Sequence, residues 1–226
     1  MSDNVLFSDE EKKAFASVIS TEEGVLNNIS KQEVKFDAFN ALIGSERILT
    51  EIKSKLPLSI VGQVLVNCDP SNSQEVLIAL TKFVLESKKV PVLVLMNYNY
   101  KTISTVLKES KITEGFVIID TVSKSIASVE DKENLIFIDS LRNLTQLQIR
   151  MLNVVEKNPN CTFIFDSLAM LRLYHNEEVA FKFIYSLTKL LHKNNSSGFY
   201  ISGKKSFASK LAQFFDESID LKKFLQ

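Results

Sequence analysis

From Val61 onward the chain repeats one pattern: a short apolar run, then a stretch with helical spacing. The runs are Gln63–Asn67, Val90–Met96, Gly115–Asp120, Asn134–Asp139, Cys161–Asp166 and Gly198–Ser202. Most are apolar at successive positions and rich in β-branched or aromatic residues, so both faces of each strand need cover. Parallel strands held between helix layers have that property. The stretches Ser73–Ser87, Leu144–Lys157 and Glu177–Lys193 place apolar residues three and four apart. In the last, Val179, Phe183, Leu187 and Leu190/Leu191 form one stripe, with Glu177, Lys182 and Lys189 largely off it. Strands alternating with such helices need crossover connections. The expected class is α/β, a three-layer α/β/α sandwich around a mostly parallel sheet.

Residues 1–56 lack this rhythm. Ser8 and Glu11 form a capping box ahead of Phe15 and Val18, and a second helix is expected over Phe36–Lys55, ended by Pro57. The expected organisation is a helical N-terminal appendage over 1–56 and one domain over 57–226. The appendage reads as a cap on one edge of the sheet or as a partner-binding, dimerising element. Lys+Arg and Asp+Glu both number 27, so no broad basic footprint argues for a nucleic-acid partner. No window approaches 18 uninterrupted apolar residues, so no membrane insertion is expected. Met1–Asp9 is polar and does not read as a signal peptide. Cys68 closes one run and Cys161 opens another, which puts them at opposite ends of a parallel sheet. A reduced, cytoplasmic setting is the expectation.

The first strand leads into Asn67-Cys-Asp-Pro-Ser-Asn-Ser-Gln74 and then an apolar helix. Eight residues is the length of a phosphate-binding G-x-x-x-x-G-K-[ST] loop. There, glycines let the backbone wrap the phosphates, lysine supplies charge and the hydroxyl holds Mg²⁺. Here Asn67 and Asn72 stand at the glycine positions, Ser73 at the lysine and Gln74 at the Ser/Thr. Asparagine tolerates left-handed backbone, so the turn itself is expected to survive. Pro70 removes one amide donor, and Asp69 sets a carboxylate where an anion would lie. The readings left open are a plain turn between strand and helix, or an unconventional ligand site.

Together these elements resemble the RecA-like superfamily and, within it, the archaeal KaiC-like proteins. The resemblance runs from about Ser59 to Leu221. It is strongest at Cys161-Thr-Phe-Ile-Phe-Asp-Ser-Leu-Ala-Met-Leu171, Tyr174–Val179, the following helix, Gly198–Ser202 and the closing Phe215-Asp-Glu-Ser-Ile-Asp-Leu221. It implies that Asp166 occupies the position that contacts Mg²⁺ through water in active relatives. The family's catalytic carboxylates follow the second strand, where this chain has Leu95-Met-Asn-Tyr-Asn-Tyr100 and no acid. An amide cannot accept the proton of an attacking water. No catalytic residue, metal ligand or cofactor is therefore expected. The degenerate nucleotide-site positions are Asn67, Asp69, Ser71, Asn72, Ser73, Gln74 and Asp166.

Other residues have two readings each. Asp120, Asp139 and Asp166 gather at the carboxyl edge of the sheet, either to hold a cation or to cap loops. His175 and His192 sit near helix ends without metal-ligand spacing. The pairs Lys12-Lys13, Lys88-Lys89, Lys204-Lys205 and Lys222-Lys223 read as solvated surface. Tyr98 and Tyr100 either stack on a planar ligand or close a loop. The expected function is a non-hydrolysing RecA/KaiC-like binding or regulatory module. It acts through a protein partner, including contacts between copies in a homo-oligomer. The alternatives are an atypical nucleotide- or anion-binding switch and a nucleic-acid-binding protein.

Overall fold

The computed structural model describes residues 44–203 and 209–221. The expected helix at Ser8–Val18 and the lysine pairs at 12–13, 204–205 and 222–223 lie outside them. Seven strands are described: β1 (Gln63–Asn67), β2 (Val90–Leu95), β3 (Val117–Asp120), β4 (Leu135–Phe137), β5 (Cys161–Asp166), β6 (Ser197–Ser202) and β7 (Glu217–Asp220). They form one sheet in the order β4-β3-β2-β5-β6-β1-β7, and every neighbouring pair is parallel. The helices are α1 (44–55), α2 (Ser73–Glu86), α3 (Tyr100–Glu109), α4 (Leu144–Lys157), α5 (Leu171–Tyr174) and α6 (Glu177–Lys193).

Strand alternation divides the core in two. Val64, Val66, Leu93, Leu95, Ile164 and Phe199 face one side and pack with Ile48 and Ile52 of α1, Leu77 and Leu80 of α2 and Leu107 of α3. Leu65, Val92, Val94, Phe163, Phe165 and Tyr200 face the other and pack with Met151 of α4 and Ile184 and Leu187 of α6. The fold is therefore a three-layer α/β/α sandwich, as expected, with a wholly parallel sheet. Residues 44–56 take part in its packing: Ile48, Leu49, Ile52 and Leu56 are buried. Lys55 pairs with Glu51 at 2.8 Å and donates to the Asp220 carbonyl at 2.9 Å, tying α1 to β7. Cys68 and Cys161 form no disulfide, are buried and lie at opposite ends of their strands. No helix among the described residues is long and apolar enough to cross a membrane.

The outer edge of β4 is covered by its own approach turn. Lys132 and Leu135 exchange backbone hydrogen bonds of 2.8 and 3.2 Å, and Asp131 Oδ1 accepts the Phe137 N–H at 2.8 Å. A sheet edge paired this way cannot template another strand there.

With 6 glycines in 226 residues, the chain ends three helices on other residues. Lys88, Lys111 and Asn195 follow α2, α3 and α6 with φ of 58°, 62° and 53°. Each is flanked by the two reverse bonds of a Schellman cap, for example Lys89 N–H to Val84 O and Lys88 N–H to Leu85 O. Lys89 is not simply solvated, because its ammonium reaches the Ile60 carbonyl at 2.9 Å and burial lowers its pKa.

In the second core half, Tyr200 lies flat on Phe165, with ring centroids 4.6 Å apart, and its hydroxyl donates to Gln63 Oε1 at the start of β1 at 2.8 Å. A side chain at Gly198 would come within 2.6 Å of that oxygen and 2.7 Å of the Tyr200 ring. Gly198→Ala is therefore expected to cost about 1–3 kcal/mol by overpacking. Lys111→Gly, which relieves a left-handed backbone, is expected to add about 1 kcal/mol. Urea unfolding midpoints of the two variants check both signs.

Candidate functional site

In an open α/β sheet, ligands bind beyond the carboxyl ends of the strands, where neighbouring strands send their connections to opposite faces. Adjacent strands β2 and β5 meet this condition, since β2 feeds α3 on one face and β5 feeds α5 and α6 on the other. Strands β1 and β6 meet it too: β1 feeds α2, while Leu211 beyond β6 packs on the opposite face. All the sequence-predicted positions lie at this edge.

The loop after β1 is a closed turn. Asp69 caps a 3-10 turn over Pro70–Asn72, its Oδ1 accepting from Ser71 N–H at 3.0 Å and Ser71 Oγ at 2.7 Å. Asn72 N–H donates to Asp69 O at 3.0 Å, Ser73 N–H to Pro70 O, and Cys68 N–H to Ser202 O at 3.2 Å. The amides of Cys68, Ser71, Asn72 and Ser73 are thus spent inside the protein, and Pro70 has none to offer. The turn forms without a left-handed asparagine: Asn72 has φ −104°, because a 3-10 turn running into α2 needs no positive φ. Asn67 donates from Nδ2 to Ser218 Oγ at 3.1 Å, and its carbonyl accepts Leu221 N–H at 2.8 Å. Gln74 is half-buried on the first turn of α2.

Ser73, at the lysine position, is almost fully buried. Its Oγ bonds the Pro70 carbonyl at 2.9 Å and shares a 2.9 Å hydrogen bond with the Tyr98 hydroxyl. Burial raises the Tyr98 pKa, and its bond to Ser73 opposes that shift. From the other side, Gly203 lets Pro70 pack close: a Cβ there would meet Pro70 Cγ at 2.7 Å. Of the two tyrosines considered for stacking, Tyr98 closes the loop. Tyr100 packs edge-on against Phe137 at 5.4 Å.

Asp166 is fully buried at the end of β5. Its Oδ1 accepts the N–H groups of Met96 at 2.5 Å and Asn97 at 3.1 Å, and its Oδ2 that of Tyr98 at 3.4 Å. The carboxyl group therefore spans the divergence of β2 and β5 and holds the segment where the sequence has no acid. Burial lifts its pKa to about 8; the three amide donors pull the other way, and the charge of Asp120 adds to the rise. Asp120, also buried, accepts from Tyr100 N–H at 2.8 Å, Val122 N–H at 2.7 Å, Ser123 N–H at 2.8 Å and Ser123 Oγ at 2.6 Å. Asp139 is exposed, pairs with Lys124 at 3.0 Å and is bridged by Gln146, and these bonds lower its pKa. The three aspartates do not converge on a cation position. Among the described residues no group of three His, Cys, Asp or Glu is placed to hold a metal. His175 Nε2 bonds the Leu141 carbonyl at 3.0 Å, and His192 lies 3.3 Å from Asp216.

Sequence reasoning did not find the Ser73–Tyr98 bond or the fit of Gly203 against Pro70. The one available signal was a serine at the lysine position together with a tyrosine just past β2.

No family model matches the chain, and no curated protein matches it. Among solved structures it is similar to a KaiC-like protein from the hyperthermophilic archaeon Pyrococcus horikoshii. The identity is 12%, 73% of this chain and 74% of that chain are covered, and the TM-score is 0.47. Nothing about activity follows from that likeness.

The Asp166 pKa sets a sign for stability. The folded protein holds this proton to about pH 8, whereas the unfolded chain releases it near 4, so stability falls as pH rises through that interval. Relative to Asp166→Asn, the wild type is expected to lose stability from pH 4 to 8, with a slope of at most about 1.4 kcal/mol per pH unit. Paired urea titrations across that range test it; parallel profiles would contradict it.

Proposed function

We propose that this chain is a non-hydrolysing RecA/KaiC-like binding or regulatory module that acts through protein contacts. The observation that carries the reading is the consumption of the nucleotide-site groups by one another. Four loop amides are donated internally, Ser73 is bonded to Tyr98, and the Asp166 carboxyl is engaged by Met96, Asn97 and Tyr98. Binding Mg·ATP needs free amide donors, a cation facing the phosphates and an acid able to order metal-bound water. Recruiting any of these from the closed turn would break hydrogen bonds worth about 0.5–1.5 kcal/mol each and leave buried groups unpaired.

The protein-contact half of the reading draws on Leu173, Tyr174 and Val179, three large apolar side chains left 75%, 44% and 39% exposed within seven residues. Monomeric surfaces leave such side chains scattered more often than grouped. A cytoplasmic location and a homo-oligomeric state belong to the same proposal.

Calorimetric titration with Mg·ATP, alongside a phosphate-release assay, tests the first half: neither saturable binding nor turnover is expected. Micromolar binding would favour the unconventional nucleotide switch instead. For the second half, light scattering on the full chain and on Leu173→Asp is expected to show self-association weakened by the added charge.

A further inference from the structure

At the opposite end of the sheet from the closed loop, a cavity of about 440 Å³ lies between the approach to β4 and the C-terminal half of α4. That volume is within the usual range for small-molecule sites, about 300–1,000 Å³. Its apolar lining comes from Val117, Ile136 and Val154, and its polar lining includes Lys132, Arg150, Lys157, Asp131 and Glu133.

One wall is fixed in advance. Asp131 uses Oδ1 to accept the Phe137 N–H at 2.8 Å and Oδ2 to hold the Arg150 guanidinium at 3.0 Å. The backbone exchange between Lys132 and Leu135 pins the same turn. The wall therefore stands off α4 without needing a ligand to order it, which lowers the cost of binding.

The charge that remains is positive. Asp131 and Arg150 neutralise each other, leaving Lys132 and Lys157 against Glu133. Neither lysine has an ion-pair partner among the described residues. The C-terminal end of α4 would repel an anion, but Lys157 lies in its last turn. The Val154 carbonyl there already accepts from Asn158 N–H at 2.8 Å and Nδ2 at 3.3 Å. Asn134 and Asn153 add amide groups to the lining.

We propose that this cavity binds a small organic anion, a carboxylate or phosphate monoester, with Lys132 and Lys157 as charge partners and its apolar body on Val117, Ile136 and Val154. The site is independent of the nucleotide-site reading, since no residue is shared between the two. Its test uses the full ¹⁵N-labelled chain, followed by NMR during titration with phenyl phosphate, benzoate and neutral benzyl alcohol. At least one anion is expected to give saturable shifts at the Asn134 and Asn153 amides while benzyl alcohol gives none, and the better anion names the group preferred. The double variant Lys132→Ala/Lys157→Ala, altered only at exposed positions, is expected to weaken binding about tenfold or more. Glu133→Gln is expected to tighten it about two- to threefold by removing the like charge. The proposal is overturned if neither anion binds saturably, if benzyl alcohol binds equally well, or if the lysine variant keeps wild-type affinity.

Discussion

One buried carboxyl group organises the carboxyl edge of this sheet. Asp166 stands where β2 and β5 part to opposite faces, the place an α/β fold leaves open for a ligand, and closes it with bonds to three consecutive backbone amides. Those amides begin the connection to α3, so the bonds also set where Tyr98 points. Tyr98 in turn bonds Ser73 at the start of α2, and Ser73 bonds the Pro70 carbonyl of the closed turn. A chain of contacts thus runs from β5 through the β2 connection to the β1 loop. Removing the Asp166 side chain would take the acceptor from the part-buried amides of Asn97 and Tyr98, while Met96 N–H would keep its 3.2 Å bond to the Asp166 carbonyl.

Asp120 repeats the device one strand further out. Its four donors come from the α3 start and from the turn after β3, so two successive strand ends are each closed by an aspartate serving backbone amides. An acid at the carboxyl end of a parallel strand thus has two uses, ordering a metal-bound ligand or replacing it as a cap. What distinguishes them is the number of donors the carboxyl group already serves, and here Asp120 accepts from four and Asp166 from three. The mutual repulsion of Asp120 and Asp166 adds to the burial that raises the Asp166 pKa.

Much of the scaffold was legible because burial on both faces leaves a plain mark. Gln63–Asn67, Cys161–Asp166, Leu144–Lys157 and Glu177–Lys193 have the bounds that periodicity and β-branched content imply. Helix α3 was not singled out, since its buried residues are only Ile103, Val106 and Leu107 amid polar positions. At the candidate site the sequence shows only which residue types Asn67–Gln74 and Leu95–Tyr100 contain. The contacts that close it were not legible, because Asp166 meets Met96 across 70 positions and Ser73 meets Tyr98 across 25. Backbone handedness was not legible either: among the described residues the left-handed non-glycine positions are Lys88, Lys111 and Asn195, where helices end. Local residue type records tolerance for such a conformation, and only the surrounding hydrogen bonds decide where it is used.

The account rests on a β1 loop that is closed by internal backbone and side-chain hydrogen bonds. Amide NMR shifts of Cys68–Gln74 and Met96–Tyr98, followed while millimolar Mg·ATP is added, test that claim most directly. The account predicts that these resonances stay in place. Saturable shifts confined to those two segments would mean that the loop opens to admit phosphate, and would contradict it.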